Sequence, residues 1–459
     1  DRLGPFVAAF APSCRFADLL APFPHGQTAL MNALTLSISA AALLLGAAFP
    51  ASAQSPSLLD ASRALREEMR AAAQIEDFET ARRLNTAALS IQPGHSALLN
   101  NAVLLAGFAG DVDGQFAALE AMAAAGLSYD LEASVRNLVE LETADAERIA
   151  ALRTAFAENA TPVGSARLVA SPPLGDALIE ALAVDNETER VYLGGVAERR
   201  IYRVEPFAPS EFEVFAGEDD PIGSIFGLAA DRVNGRLYAV EGVVPQTPLG
   251  EGETSGTALL ALDLETGELI ERYTIDGAVR MGDLTVRDGV VFVSDADGGR
   301  IYRLNGPRAE LELYAEDTRF ASLQGLAQAR GALWVVDYAL GLWRIDPVTR
   351  HAHLQPSPES ASLIGLDGLV ADRLGRLFVI RNGAAPVGVF ELVFDAQSRL
   401  VGMEPVLTGD PRIGEPTTAR VSDGRLFVNA DAPWDQFPED GAAPEGPRRT
   451  PQILAVPIP

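Results

Sequence analysis

Six short runs in the second half of the chain carry the residues that could do chemistry. They read Ile179-Glu180-Ala181-Leu182, Phe226-Gly227-Leu228, Gly282-Asp283-Leu284, Gln324-Gly325-Leu326, Asp367-Gly368-Leu369 and Glu415-Pro416-Thr417. Five of the six offer a carboxylate or amide oxygen, from Glu180, Asp283, Gln324, Asp367 and Glu415, and Phe226 opens the remaining one. Oxygen donors of this kind suit a hard divalent cation, Ca²⁺ first and Mg²⁺ or Mn²⁺ as alternatives, if the fold makes them converge. Carboxylates at strand starts also do purely structural work, capping turns or holding water. Two later segments, Asn382-Gly383 with Pro386 and Asn429-Ala430-Asp431-Ala432-Pro433-Trp434, are polar turns able to rim the same site. Trp434 there either stacks on a ligand or packs between structural units.

The elements that must position these residues repeat. Each run is followed by a turn and a second strand with a central aromatic: Tyr192, Tyr238, Phe292, Trp334, Phe378 and Phe427, spaced 42 to 54 residues apart. Third strands follow the same rule in Ile201-Tyr202-Arg203-Val204, Ile301-Tyr302-Arg303-Leu304 and Leu342-Trp343-Arg344-Ile345. A period of roughly 40–50 residues with several short strands per unit is the signature of four-stranded blades set around an axis. The expected fold is mainly β, a six-bladed β-propeller over residues 161–459. Its innermost strands line a central channel, and the six runs are the starts of those strands. The strand at 167–170 is expected to join 417–429 and 453–456 in the last blade, removing its free edges. Two inserts, 242–255 and 433–451, are expected to be loops on a propeller face.

These residues resemble the SMP-30/gluconolactonase-like propellers, and more distantly the NHL-repeat propellers. The carriers are Glu180-Ala181-Leu182-Ala183-Val184-Asp185 with Arg190-Val191-Tyr192, Ser294-Asp295-Ala296-Asp297-Gly298-Gly299-Arg300-Ile301-Tyr302-Arg303, and Leu366-Asp367-Gly368-Leu369 with Gly375-Arg376-Leu377-Phe378. The resemblance implies one divalent metal in the channel, with Glu180, Asp283, Gln324 and Asp367 as the matching ligand positions and Asp367 also as the base of lactone hydrolysis. Gln324 is one methylene longer than the Asn of that pattern. In the third blade the matching place holds Gly282, with Asp283 one residue later. Side chains alternate faces along a strand, so Asp283 points away from the channel unless a local bulge restores it.

Before the propeller, residues 54–160 are rich in Ala, Leu, Glu and Arg at helical spacing. Asp77-Phe78-Glu79-Thr80-Ala81 through Pro93 resembles a tetratricopeptide helix, and the pattern returns 34 residues later from Asp111. An all-helical repeat domain is expected, with an unrelated helical bundle as the alternative; either suits contact better than catalysis. Met31 to Phe49 is an apolar run followed by Ala51-Ser52-Ala53, so residues 31–53 read as a signal peptide and 1–30 as an upstream extension. Export to the periplasm or beyond follows, and no span remains after cleavage. Cleavage also removes Cys14, the one cysteine, and with it any thiolate chemistry.

A net charge of −27 argues against nucleic acid as a partner. No phosphate-binding glycine loop, serine-nucleophile elbow or zinc-binding helix motif is found, and no organic cofactor is expected. His351 and His353 form an isolated pair with no third ligand in view. The reading is an exported propeller that binds a small-molecule ligand or a protein partner and is able to hold a divalent cation. The alternative is a metal-dependent lactonase or ester hydrolase.

Overall fold

The computed structural model describes residues 58–173, 177–205, 207–208, 211–218, 222–250, 256–438, 440–442 and 449–458. The expected upstream extension and signal peptide lie outside them. Seven helices come first: α1 (Leu58–Gln74), α2 (Phe78–Ile91), α3 (Ser96–Phe108), α4 (Val112–Ala124), α5 (Leu131–Ser134), α6 (Leu138–Ala144) and α7 (Ala146–Asn159). α1 packs on α2, α3 on α4, and α7 on α4 and α6. The 34-residue spacing seen in sequence is the spacing of two caps. Asp77 Oδ1 accepts from Thr80 N at the start of α2, and Asp111 Oδ1 from Gly114 N at the start of α4. Such caps contribute about 1 kcal/mol each. Ala81 and Ala88 are fully buried, small enough to let paired helices close up.

Six four-stranded antiparallel sheets follow, and they are the six blades. Their inner strands are Ile179–Val184, Ser224–Asp231, Met281–Arg287, Leu323–Ala329, Leu366–Ala371 and Ala419–Ser422. Their second strands are Val191–Gly195, Arg236–Gly242, Val290–Asp295, Ala332–Asp337, Leu377–Arg381 and Arg425–Asn429. Blade 6 closes the ring as expected: Ile453–Pro457 is its third strand, and Arg167–Ala170, from the start of the propeller, is its outermost.

The six second-strand aromatics are buried, and each fills the seam between its own blade and the next. Tyr192 packs with blade 2 residues, Tyr238 with blade 3, Phe292 with blade 4, Trp334 with blade 5 and Phe378 with blade 6. Phe427 packs with Ile179 and Leu193 of blade 1. The aromatic period is therefore the period of the seams, where burial of large rings holds flat sheets together.

Two features shape the channel. Pairing of inner with second strand slips between Ile179 and Ala181, Ile225 and Gly227, Met281 and Leu284, Leu323 and Leu326, and Leu366 and Leu369. Bulges thus fall on Glu180, Phe226, Gly282-Asp283, Gln324-Gly325 and Asp367-Gly368, re-aiming those residues at the rim. Glycine next to the rim residue lets adjacent inner strands touch. A Cβ on Gly368 would lie 2.6 Å from Thr417 O and 2.8 Å from Thr418 Cα of blade 6.

Gly368→Ala is therefore expected to lower stability by about 1–3 kcal/mol through overpacking, read as a shifted denaturant midpoint. An unchanged midpoint would show that the blades can separate at this seam without cost.

Candidate functional site at the channel mouth

The start of each inner strand is held by a repeated device. A carboxylate at or just beyond the end of the second strand turns back and accepts from backbone N–H groups entering the inner strand. Glu198 takes Leu178 N (3.3 Å) in blade 1 and Glu241 takes Gly223 N (2.7 Å) in blade 2. Asp295 takes Val279 N and Arg280 N (3.0 and 2.9 Å) in blade 3. Asp337 takes Ala321 N (2.7 Å) in blade 4, and Asp431 takes Glu415 N (3.1 Å) in blade 6. Charge-assisted bonds of this kind fix the rim more firmly than neutral ones. In blade 5 the residue in register with Asp295 and Asp337 is Arg381.

Four rim residues interact electrostatically. Burial, then the charge of Asp367, then Glu415 and Asp283, hold the Glu180 carboxyl well above the ordinary range, opposed by a hydrogen bond from Trp434. Asp367 is likewise raised, chiefly by burial, against a hydrogen bond from Asn382. Glu415 is pushed up to about 8 by burial and by Asp435, Asp367 and Asp431. Tyr338, a residue not anticipated from the sequence, has its phenol raised by burial and by Asp367 and Glu415. Glu180, Asp283, Asp367 and Glu415 thus feel one another across one small region, as groups lining one rim do.

Glu180 and Asp367 each have a fixed partner. Trp434 Nε1 donates to Glu180 Oε2 at 2.7 Å. Trp434 sits in the insert after the blade 6 second strand, half-buried beside Phe226, Leu178, Val196 and Phe437. Asn382 Nδ2 donates to Asp367 Oδ2 (2.7 Å) and to Pro416 O (2.9 Å). Because both partners are acceptors, the amide orientation is set, and Asn382 Oδ1 is left buried with no hydrogen-bond partner. Gln324 Nε2 donates to Ser322 Oγ at 3.2 Å, leaving its carbonyl oxygen as an acceptor. Asn429 lies deeper. It is fully buried, and its Nδ2 donates to Ile179 O (2.9 Å) and Thr417 Oγ1 (3.1 Å), so it braces blade 6 against blade 1.

Asp283 is turned into the channel, where Arg420 meets it. Arg420 leaves the blade 6 inner strand and donates to Asp283 Oδ1 of blade 3 at 3.0 Å and to Leu228 O of blade 2 at 2.8 Å. The two side chains are 15% and 13% exposed, so this brace closes the channel with its charge already balanced. Outside the rim Arg449 bridges Asp431 and Asp435. Glu180, Asp367 and Glu415 have no such cation among the described residues. Among the described residues, no three His, Cys, Asp or Glu side chains lie close enough together to share a metal ion. His351 immediately precedes the blade 4 outer strand (Ala352–Leu354) and His353 lies within it, away from the rim.

In an antiparallel blade, the loop entering the inner strand and the loop joining second to third strand open on the same face. The rim, the inserts of blades 2 and 6, and the helical domain therefore share one face. The two inserts meet where Gln246 Nε2 donates to Pro438 O at 2.8 Å. Opposite them, Leu59 of α1 packs into the seam of blades 3 and 4, and Ser362 N of the blade 4–5 loop donates to Ala125 O at 3.2 Å.

No family model matches the sequence, and no curated protein matches it. Several solved structures superpose on part of the chain. A gluconolactonase from Xanthomonas campestris superposes with a TM-score of 0.43 at 19% identity, covering 66% of this chain and 93% of its own. A calcium-binding regucalcin from Agrobacterium tumefaciens gives 0.43 at 14% identity, covering 65% and 97%. Virginiamycin B lyase from Staphylococcus aureus gives 0.43 at 11% identity, covering 65% and 100%. At these identities the likeness is one of fold.

Arg420→Met leaves the buried Asp283 with only the Leu284 N–H and no counter-charge, and is expected to cost about 3 kcal/mol in denaturant unfolding. Adding Asp283→Leu should recover much of that loss; a fully additive double variant would show that the pair does not interact. A second expectation concerns pH. Glu415 holds its proton more tightly folded than unfolded, so the folded state binds more protons between about 4.5 and about 8. Stability should accordingly fall as pH rises through that window and be greatest below it. Glu415→Gln should flatten the profile, and a profile unchanged in the variant would contradict the assignment.

Proposed function

We propose that this protein binds a small molecule at the channel mouth, over a divalent cation held by Glu180, Gln324, Asp367 and Asn382. The observation that carries the reading is the orphaned Asn382 Oδ1 beside Asp367, in a rim whose carboxyls are raised by burial and mutual repulsion. A buried amide oxygen without a donor costs about 1–3 kcal/mol, which a cation would offset. Glu180 and Asp367 each spend one oxygen on a neutral donor and keep the other. The set is hard, oxygen-only and of low charge, which suits Ca²⁺ before Mg²⁺ or Mn²⁺. Asp283 is outside this set because Arg420 already neutralises it.

When bound, the cation would supply charge neutralisation and polarisation of a ligand oxygen. The chain's own residues do the rest. Trp434 orients Glu180, Asn382 orients Asp367, and Phe226 with Trp434 offers an apolar edge on one side of the rim. Lactone or ester hydrolysis is a second reading, favoured by Asp367. Burial raises its pKa to about 7, near the working pH at which a carboxylate base is most effective, while Asn382 fixes its direction. The segment 31–53 supports action outside the cytoplasm, and no described helix is long and apolar enough to cross a membrane.

Calorimetric titration of chelator-treated protein with CaCl₂, MgCl₂ and MnCl₂ tests the reading. One site is expected, weakened at least about tenfold in Glu180→Gln and in Asp367→Asn, since each removes a charged donor. No heat and no thermal stabilisation with any of the three ions would overturn it. A lactone panel run on the same samples decides the second reading: turnover must vanish in Asp367→Asn and with chelator.

A further inference from the structure

We infer that the helical domain is a working part of the mouth site, because it holds the turn that places Asn382 on Asp367. This deepens the function proposed above and rests on it for the ligand, though not for the linkage itself.

Blade 5 departs from its sisters where the helices dock. In the other five blades a carboxylate ties the loop entering the inner strand. In blade 5 Arg381 stands in that register, 1% exposed, with no carboxylate partner among the described residues. Its Nε and Nη2 donate to Pro386 O at 3.1 and 3.0 Å, and Nη2 reaches toward Gly126 O, at 3.5 Å, between α4 and α5. The guanidinium lies 4.3 Å from the Phe390 ring centroid. Burial pulls its pKa down to about 9, leaving it charged at neutral pH. A buried charge is costly unless its donors are satisfied, and here the satisfying carbonyls belong to the turn and the helical domain.

The entering loop, left without its carboxylate, is tied from outside. Ser362 N donates to Ala125 O (3.2 Å) of the helical domain, and Ser128 N donates back to Ala385 O (3.0 Å). Ala384 packs into the helical core with Phe116, Leu127 and Tyr129. The turn that makes these contacts, residues 382–386, begins with Asn382, whose amide holds Asp367. Asn382 N and Gly383 N both donate to Gly365 O, at 3.2 and 3.1 Å, joining turn to loop. Within five residues one end of the turn is in the site and the other in the helical core. Undocking the helices must free the turn, and with it the donor that orients Asp367. By linkage, a ligand that needs Asn382 in place must in turn favour docking.

Hydrogen exchange and calorimetry on the full chain test this with Arg381→Met and, from the helical side, Gly126→Val. Gly126 has φ +67°, and a Cβ there would face Ser360 O at 3.5 Å, so Val strains the contact without touching the blade seams. Both variants should speed exchange at Ser128, Ser362, Asn382 and Gly383 together, by roughly tenfold or more, while inner-strand amides stay protected. Ca²⁺ affinity should fall about tenfold in each, and Arg381→Met combined with Asn382→Ala should bind no more weakly than Asn382→Ala alone, since both act through one group. Arg381→Lys, which keeps a donor for Pro386 O, should recover part of the affinity. If exchange speeds up at Ser128 and Ser362 but not at Asn382 and Gly383, or if the double variant is additive, the helices are mere neighbours of the site. If wild-type protein binds no Ca²⁺, the proposed function fails while the exchange result still decides the linkage.

Discussion

The carboxylate that turns back from the second strand onto the loop entering the inner strand, in five of the six blades, is the constraint on which the rim depends. An inner strand has one edge paired and the other facing the channel, so nothing in the sheet itself fixes where it starts. Asp295, Asp337 and Asp431, with Glu198 and Glu241, supply that fixed point. Once the entry is pinned, the extra residue of each bulge has to go somewhere, and it goes to the channel. The rim chemistry is thus a by-product of how five bulged strands begin, and its geometry is as rigid as the ties that hold it.

Charge is arranged by depth. Arg420 crosses the channel and cancels Asp283, and it also satisfies the free carbonyl of Leu228. Arg449 bridges Asp431 and Asp435 outside the rim and balances one of their two charges. Between these two guanidinium braces, Glu180, Asp367 and Glu415 share a partly buried space with only neutral donors, Trp434 and Asn382. Like charges so placed either keep protons or gather a cation. That local imbalance says more about function than the overall charge of −27, which much of the exposed surface carries.

The fold was legible because its signal is the period of the seams. Tyr192 and its five counterparts repeat wherever one sheet must stick to the next, and the pairing of 167–170 with 453–457 follows from the need to hide edges. The rim was legible in part. Glu180, Gln324, Asp367 and Asn382 stand at strand starts and ends that the period locates. The direction of Asp283 was not legible, because bulges are set by contacts between strands and leave no pattern in one strand. Arg420 and Tyr338 carry no motif; they matter through what the closed ring brings near them. Arg381 did have a signal. Aligning the second strands on their aromatics sets it against Glu241, Asp295 and Asp337, an arginine where blades 2 to 4 carry a carboxylate, at the blade the helices touch.

The central claim is that the mouth is a cation-dependent binding site built from Glu180, Gln324, Asp367 and Asn382. Anomalous diffraction from crystals soaked in MnCl₂ near neutral pH tests it most directly. The account predicts one strong peak at the rim, within bonding distance of oxygens from these four residues, with Arg420 still on Asp283. A rim without a peak, or a peak with Asp283 drawn away from Arg420 to serve as a ligand, would contradict it.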